Sequence, residues 1–161
     1  MTDLHVVTTG GTIDKIYFDL LSEFEVGAPQ VGTLLEQANV TLSWSITALL
    51  RKDSLDLTDE DRAAIVEAVR ACDADRVLVT HGTDTMVDSA RALTAVAGKT
   101  VVLTGAMQPA TQRDSDAVFN IGFAIGVLMT AAPGVYVAIN GRVFEPAHAR
   151  KNRAMNRFEV D

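Results

Sequence analysis

The sequence predicts an α/β fold: a mainly parallel sheet flanked by helices, with a C-terminal β-hairpin. Three observations carry that reading. Short apolar runs alternate with longer helix-like segments, the signature of βαβ units joined by right-handed crossovers. Each apolar run stops at a cluster of glycine, hydroxyl or carboxylate residues. Asn140-Gly141, lying between two apolar runs, is the strongest short hairpin signal.

The elements follow in order. Leu4–Thr9 reads as a strand buried on both faces. Val31–Ala38 is a short helix. Leu42, Trp44, Ile46 and Ala48 alternate with Ser43, Ser45 and Thr47, the period-two pattern of a half-exposed strand. Thr58 caps a helix whose first turn holds Asp59, Glu60 and Asp61, where the dipole favours acids. The apolar stripe of that helix is Ile65, Val66, Val69 and Cys72. Arg76–Thr80 is a strand. Asp84–Ala97 is a helix, with Gly98 placed to end it. Thr100–Thr104 is a strand and Ser115–Ala131 a helix, in which Phe119 and Phe123, four residues apart, are expected in the core. Val135–Ile139 and Arg142–Phe144 are the arms of the hairpin. Repeats and low-complexity segments are absent.

The 161 residues amount to one domain, and the whole chain is read as such. A net charge of −7 argues against general nucleic-acid binding, which rests on neutralising phosphates. The charge is uneven. Arg150, Lys151, Arg153 and Arg157 make residues 147–161 basic against an acidic body, so this tail can dock on the body or bind an anion. Cys72 is the only cysteine, which excludes an intramolecular disulfide. His5, His81 and His148 lack ligand-like spacing, so no metal is expected. Residues 117–141 carry no charge and are long enough to span a bilayer, but Asn120, Asn140 and Pro133-Gly134 interrupt them. A buried helix followed by a buried strand accounts for them better. Asp3 and His5 stand where a signal peptide needs cations and then an apolar run, so the chain is read as cytoplasmic.

In parallel sheets, ligands bind outside the carboxyl ends of the strands. After the first strand come Gly10-Gly11-Thr12, after the second Asp53-Ser54, after the third His81-Gly82-Thr83-Asp84, and after the fourth Gly105-Ala106-Met107. All fall on one edge, and the two Gly-Thr loops should face one crevice. Threonine is a weak nucleophile unless a neighbour takes its proton. The glycines admit a ligand close to the backbone, and nearby amides can hold an oxyanion. Asp84 can pair with an amine or hold a lysine; Ser54 can bind a carboxylate. Each motif alone has a plainer reading. "GGT" is a common strand–helix turn, and "HGTDT" can be a helix start capped by Thr83. His81 before a glycine reads as structural, and Lys151 in a basic run reads as a solvated charge. Neither G-x-G-x-x-G nor G-x-x-x-x-G-K-[ST] occurs. The residues by themselves give a ligand-binding α/β domain.

Taken together and in order, "TTGGTID", "DSLDLTDED", "VTHGTDTMVDSA" and "VVLTGAMQPAT…SDAVFNIGFA" resemble the successive signatures of the L-asparaginase family, from Thr8 to about Arg157. The resemblance implies a Rossmann-like asparaginase N-terminal domain. It implies a cofactor-free amidohydrolase that splits L-asparagine into L-aspartate and ammonia through a threonine acyl-enzyme. Thr12 matches the first nucleophilic threonine. Thr83 and Asp84 match the second threonine and its acidic neighbour, and Lys151 completes their set. Ser54 matches the serine that holds the α-carboxylate, with Gly11, Asp53, Gly82 and Ala106 forming the rest of the expected substrate wall. A loop tyrosine activates the first threonine in the family; spacing puts Phe24 there, and Tyr17 is the nearest substitute. The chain also resembles a short, single-domain type, without the family's C-terminal domain. Related amides such as glutamine, and a degenerate domain that binds amino acids or a partner, are the alternatives. Phe158 and Val160 at the end of the polar tail point to a homo-oligomer. No nucleic acid or membrane partner is expected.

Overall fold

The computed structural model describes residues 2–161. Its main sheet has six strands in the order β4-β1-β5-β6-β7-β8. These are β1 (Leu4–Gly10), β4 (Trp44–Lys52), β5 (Arg76–Thr80), β6 (Thr100–Thr104), β7 (Gly134–Ile139) and β8 (Arg142–Phe144). All neighbours are parallel except β7 and β8, which pair antiparallel around Asn140-Gly141. Both turn residues have positive φ (50° and 83°), as a two-residue hairpin turn of the primed type requires. The fold class and this hairpin are therefore as expected from sequence.

Chain order reverses at β1. The chain steps outward to β4 on one side, then returns to lay β5 on the other. This is the topological switch point at which open α/β sheets bind their ligands. The loops that leave β1 and β5 carry Thr12 and Thr83.

Two apolar layers hold the sheet. One packs Ile65 and Val69 of α2 (Asp59–Ala71) and Met86, Ala90 and Leu93 of α3 (Met86–Leu93) on Val7, Val79 and Leu103. The other packs Leu34 and Leu35 of α1 (Val31–Gln37) and Ile121, Ala124 and Leu128 of α4 (Ala117–Thr130) on Val6, Leu78 and Val102. Alternate residues of each strand feed opposite layers, which is why these strands read as continuous apolar runs. Thr58 and Asp61 form a complete capping box at the start of α2. No helix among the described residues is long and apolar enough to cross a membrane.

Several expectations are corrected. The helix expected at 84–97 is only α3, residues 86–93. At its start, the Thr85 hydroxyl donates to the Ser54 carbonyl at 2.8 Å and its N–H to Ser54 Oγ at 3.3 Å, so residues 84 and 85 belong to the loop. At its end, the Thr94 hydroxyl donates to the Arg91 carbonyl at 2.6 Å, and the chain continues in tighter i→i+3 turns well before Gly98. Phe119 is 61% exposed and stacks on the partly buried Phe123 along the outside of α4, so this pair does not fill the core. The half-exposed strand runs over 44–52 rather than 42–48, on the sheet edge.

The loop after Thr12 folds into a two-stranded hairpin of β2 (Lys15–Phe18) and β3 (Glu23–Val26). The basic tail also docks on the body. It forms β9 (Ala149–Asn152) and β10 (Arg157–Val160), paired antiparallel. Phe158 is buried against Phe144, with ring centroids 6.1 Å apart, and so gives no support to an oligomer contact.

Candidate active site

The site begins at Gly10 and Gly11, both at positive φ (101° and 84°), which lets the chain turn sharply off β1. A Cβ on Gly11 would fall on Gly82 Cα and N, and one on Gly82 would lie 2.6 Å from Ser54 Cβ. Three of the expected loops thus meet, Gly11 against the Gly82 backbone and Gly82 against the Ser54 side chain, and only glycine leaves the room. The pairing of Thr8 with Thr80 across β1 and β5 sets this register. Gly11 N–H donates to the Lys52 carbonyl at 2.9 Å, joining the first loop to the end of β4 as well.

Thr83, Asp84 and Lys151 come together although the lysine is 68 and 67 residues from its partners. Lys151 Nζ donates to Thr83 Oγ1 at 2.7 Å and to Asp84 Oδ1 at 2.9 Å. Its side chain is 11% exposed. Arg153 Nε also approaches Asp84 Oδ1, at 3.4 Å. The lysine is delivered by β9, whose backbone is tied to α3: Arg91 donates to the Pro146 and Ala149 carbonyls. A desolvated amine between a hydroxyl and a carboxylate is a device for moving the hydroxyl proton.

The remaining residues divide. Thr12 is half-buried, and its hydroxyl makes no hydrogen bond among the described residues. Ser54 is buried behind Gly82, accepting from Thr85 N–H. Asp53 accepts from Leu55 N–H through Oδ1 and pairs with Lys15 through Oδ2 at 3.0 Å. Burial works to raise the Asp53 carboxyl, but these two partners outweigh it and hold it below the usual range. Ala106 is buried on the loop after β6. Tyr17 stands on the hairpin, 50% exposed, directly opposite Phe24 with ring centroids 5.3 Å apart. It makes no hydrogen bond to Thr12.

His81 is structural. It is fully buried, donates from Nδ1 to the Gly82 carbonyl and accepts at Nε2 from the Ser89 hydroxyl, both at 2.7 Å. Burial pushes its pKa down to about 4, so it stays neutral. Among the described residues, no group of three or more His, Cys, Asp or Glu is placed to hold a metal.

Sequence reasoning missed three contributors. Thr85 stitches the Asp53-Ser54 loop to the second Gly-Thr loop, and its place in "TDT" was the available signal. Lys15 carried no signal at all, since its partner lies 38 positions away. Asp116 accepts from Met107 N–H, Gln108 N–H and the Asn120 and Asn140 side-chain amides, and so fixes the loop bearing Ala106. It stood inside a quoted motif, yet nothing in the motif named its partners.

Fold and site together define an α/β domain with a hydroxyl–lysine–carboxylate set at the switch point of a parallel sheet. The chain belongs to the asparaginase family: residues 3–160 match the model of "Asparaginase, N-terminal". It is 31% identical over 154 residues to the "Probable L-asparaginase periplasmic" of Haemophilus influenzae, covering 89% of this chain and 44% of that one. It is 30% identical over 163 residues to the "Glutaminase-asparaginase" of Acinetobacter glutaminasificans, covering 86% and 46%. The thermostable L-asparaginase from Thermococcus kodakarensis superposes with a TM-score of 0.84 at 28% identity, over 98% of this chain and 50% of that one. The chain spans about half the length of the curated relatives it matches.

Proposed function

We propose that this chain hydrolyses the side-chain amide of L-asparagine to L-aspartate and ammonia through a threonine acyl-enzyme, without a cofactor. The observation that carries the reading is Lys151, bonded at once to Thr83 Oγ1 and Asp84 Oδ1. With Nζ neutral, the lysine takes the Thr83 proton, and Asp84 stabilises the ammonium that forms. The freed Thr83 oxygen then bonds to the amide carbon, or draws the proton from Thr12 as Thr12 Oγ1 bonds to that carbon, and the carbonyl electron pair moves onto oxygen. Collapse expels ammonia, which takes up the transferred proton. Water next attacks the ester carbon, releasing aspartate and restoring the threonine.

The acyl group rests on Thr12 or Thr83, and mapping the modified peptide of a trapped intermediate decides between them. Gly11 N–H is committed to Lys52, so the oxyanion is held by other amides of the two loops. Asp84 Oδ1 carries Lys151 and Arg153, which leaves Oδ2 for the substrate's ammonium. Ser54 keeps its own proton for the α-carboxylate, and substrate reaches it past Gly82. Tyr17 serves Thr12 from the hairpin.

The test is ammonia release from asparagine by the purified protein, set against Thr12→Ala, Thr83→Ala and Lys151→Met. Glutamine is assayed beside it, because one relative is named for both substrates. No ammonia from either amide, with amino-acid binding intact, would leave a binding domain instead. Homo-oligomer formation, expected from sequence on Phe158 and Val160, keeps the exposed Val160 and gains the exposed Val118 and Phe119 of α4; light scattering measures it.

A further inference from the structure

We propose that Lys15 is a positioning residue for this reaction: its ion pair with Asp53 fastens the β2–β3 hairpin to the loop bearing Ser54. The inference rests on the amidase reading above and adds a residue to it.

The hairpin needs a fastening. It forms its own two-stranded sheet, separate from the main one, and an isolated hairpin is marginal in water. Its far end is bare, with Phe18, Leu20, Leu21 and Phe24 all exposed. At its base, Gly27 N–H donates to the Asp14 carbonyl at 2.8 Å and Gln30 N–H to Asp14 Oδ1 at 2.9 Å. These bonds close the base but do not orient the hairpin sideways. Between hairpin and body lies a cleft of about 390 Å³, with Lys15, Phe24, Glu25 and Val26 on one wall and Arg51, Lys52, Asp53 and Asp56 on the other. Among the described residues, Lys15–Asp53 at 3.0 Å is the one ion pair that spans it.

The two oxygens of Asp53 have different tasks. Oδ1 accepts from Leu55 N–H and shapes the turn that begins with Ser54. Oδ2 holds Lys15. One carboxylate therefore sets the substrate-side turn and the hairpin together. Side chains alternate along a strand and directly opposed residues share a face, so Lys15, Tyr17, Phe24 and Val26 project from the same face. Fixing Lys15 turns that face, with the Tyr17 hydroxyl, towards the body. Lys15 is also only three residues beyond Thr12.

The pair is partly exposed, with side chains 27% and 35% accessible, so salt screens it and its effect is modest. In Lys15→Met, kcat/KM for asparagine should fall about fivefold, the most that a partly exposed pair supplies. Lys15→Arg, which can still reach the carboxylate, should recover most of it. Raising salt should bring the wild type towards Lys15→Met and leave the variant unchanged. Backbone amides of residues 15–26 should exchange with deuterium faster in Lys15→Met, while those of β5 and β6 keep wild-type rates.

Unchanged exchange, or a Lys15→Met enzyme that matches wild type at low salt, overturns the proposal. So does a Lys15→Arg enzyme no better than Lys15→Met, which would show that the lysine itself and not its charge matters. An inactive wild type sinks the amidase reading and this role with it. Exchange would then still show separately whether the pair anchors the hairpin.

Discussion

The two walls of the crevice are built to different standards. On the Thr83 wall the loop side chains that follow β5 are paired: Thr83 and Asp84 hold Lys151, and His81 is locked between Gly82 and Ser89. The elements behind it, β5 and α3, carry fully buried residues of the core. On the Thr12 wall the threonine hydroxyl has no partner, and the hairpin beside it is exposed and separate from the main sheet. One wall is preassembled and the other is left to be completed. Local opening free energies are low where buried apolar contacts are few, and elements that close over ligands are drawn from such regions.

The sharpest way to break this contrast is to remove the preassembled group. Lys151→Met should lower turnover by roughly 10²- to 10⁴-fold, the range typical of losing a general base. Unfolding free energy should move by only about 1–3 kcal/mol, the loss of the bonds to Thr83 and Asp84, since Arg153 remains on Asp84. Rate assays and urea denaturation measure both. An active variant would mean that the lysine only props up β9.

The threonines sharpen the comparison, because both should matter to rate and only one to stability. Thr12→Ala and Thr83→Ala should each cost at least about 100-fold in turnover. Thr83→Ala also deletes a partly buried hydrogen bond, worth about 1 kcal/mol. Thr12→Ala deletes none and should unfold at the wild-type urea midpoint. Equal destabilisation would erase the claimed difference between the walls.

Much of this contrast was legible beforehand. The strands declared themselves because parallel strands buried on both faces must be continuously apolar, as in Val77–Val79 and Val101–Leu103. The helix after Thr58 did so through its cap residue and the acids of its first turn. The site edge followed from topology once the strands were in place. The hairpin after Thr12 was not legible, because "KIYF" and "EFEV" pair with each other and carry no core-facing pattern. The Lys15–Asp53 and Asp116–Asn140 contacts were hidden for a different reason: they join residues distant in sequence through side chains that would equally suit a solvated surface. Phe119 was misplaced because four-residue spacing gives neighbours on one helical face without saying which face is inward.

Each wall also buries one titratable group, and the two respond to pH in opposite senses. Burial raises the Asp14 carboxyl from 3.8 to about 6, against the Gln30 N–H bond and Arg51. Its contribution to stability is full below pH 4 and is lost as pH rises through 6. Burial lowers His81 from 6.5 to about 4. Its contribution is present above pH 6.5 and is lost as pH falls through 4. Each shift is worth about 3 kcal/mol, so between pH 4 and 6 they offset each other. Asp14→Asn, which keeps an acceptor for Gln30, should make stability rise with pH across that window. His81→Gln should make it fall, whatever constant packing loss it brings. Parallel urea titrations at pH 4, 5 and 6 give the slopes. Two variants with the wild-type slope would show that neither group is desolvated as described.

A more modest effect concerns the unfinished wall itself. Tyr17 and Phe24 are directly opposed across the hairpin, so they leave the same face side by side. A hydroxyl at 17 therefore occupies nearly the region that a hydroxyl at 24 would, and the two positions are exchangeable. Tyr17→Phe should lower kcat by about tenfold while leaving the Michaelis constant nearly unchanged, because proton transfer is affected and substrate anchoring is not. Phe24→Tyr added to that variant should restore at least part of the rate. Neither change alters the ring packing, so thermal midpoints should stay together. If Tyr17→Phe runs at wild-type speed, the hairpin carries no group that serves Thr12. If the rate falls and Phe24→Tyr does not recover it, the hydroxyl at 17 acts from a position that its cross-strand neighbour cannot reach.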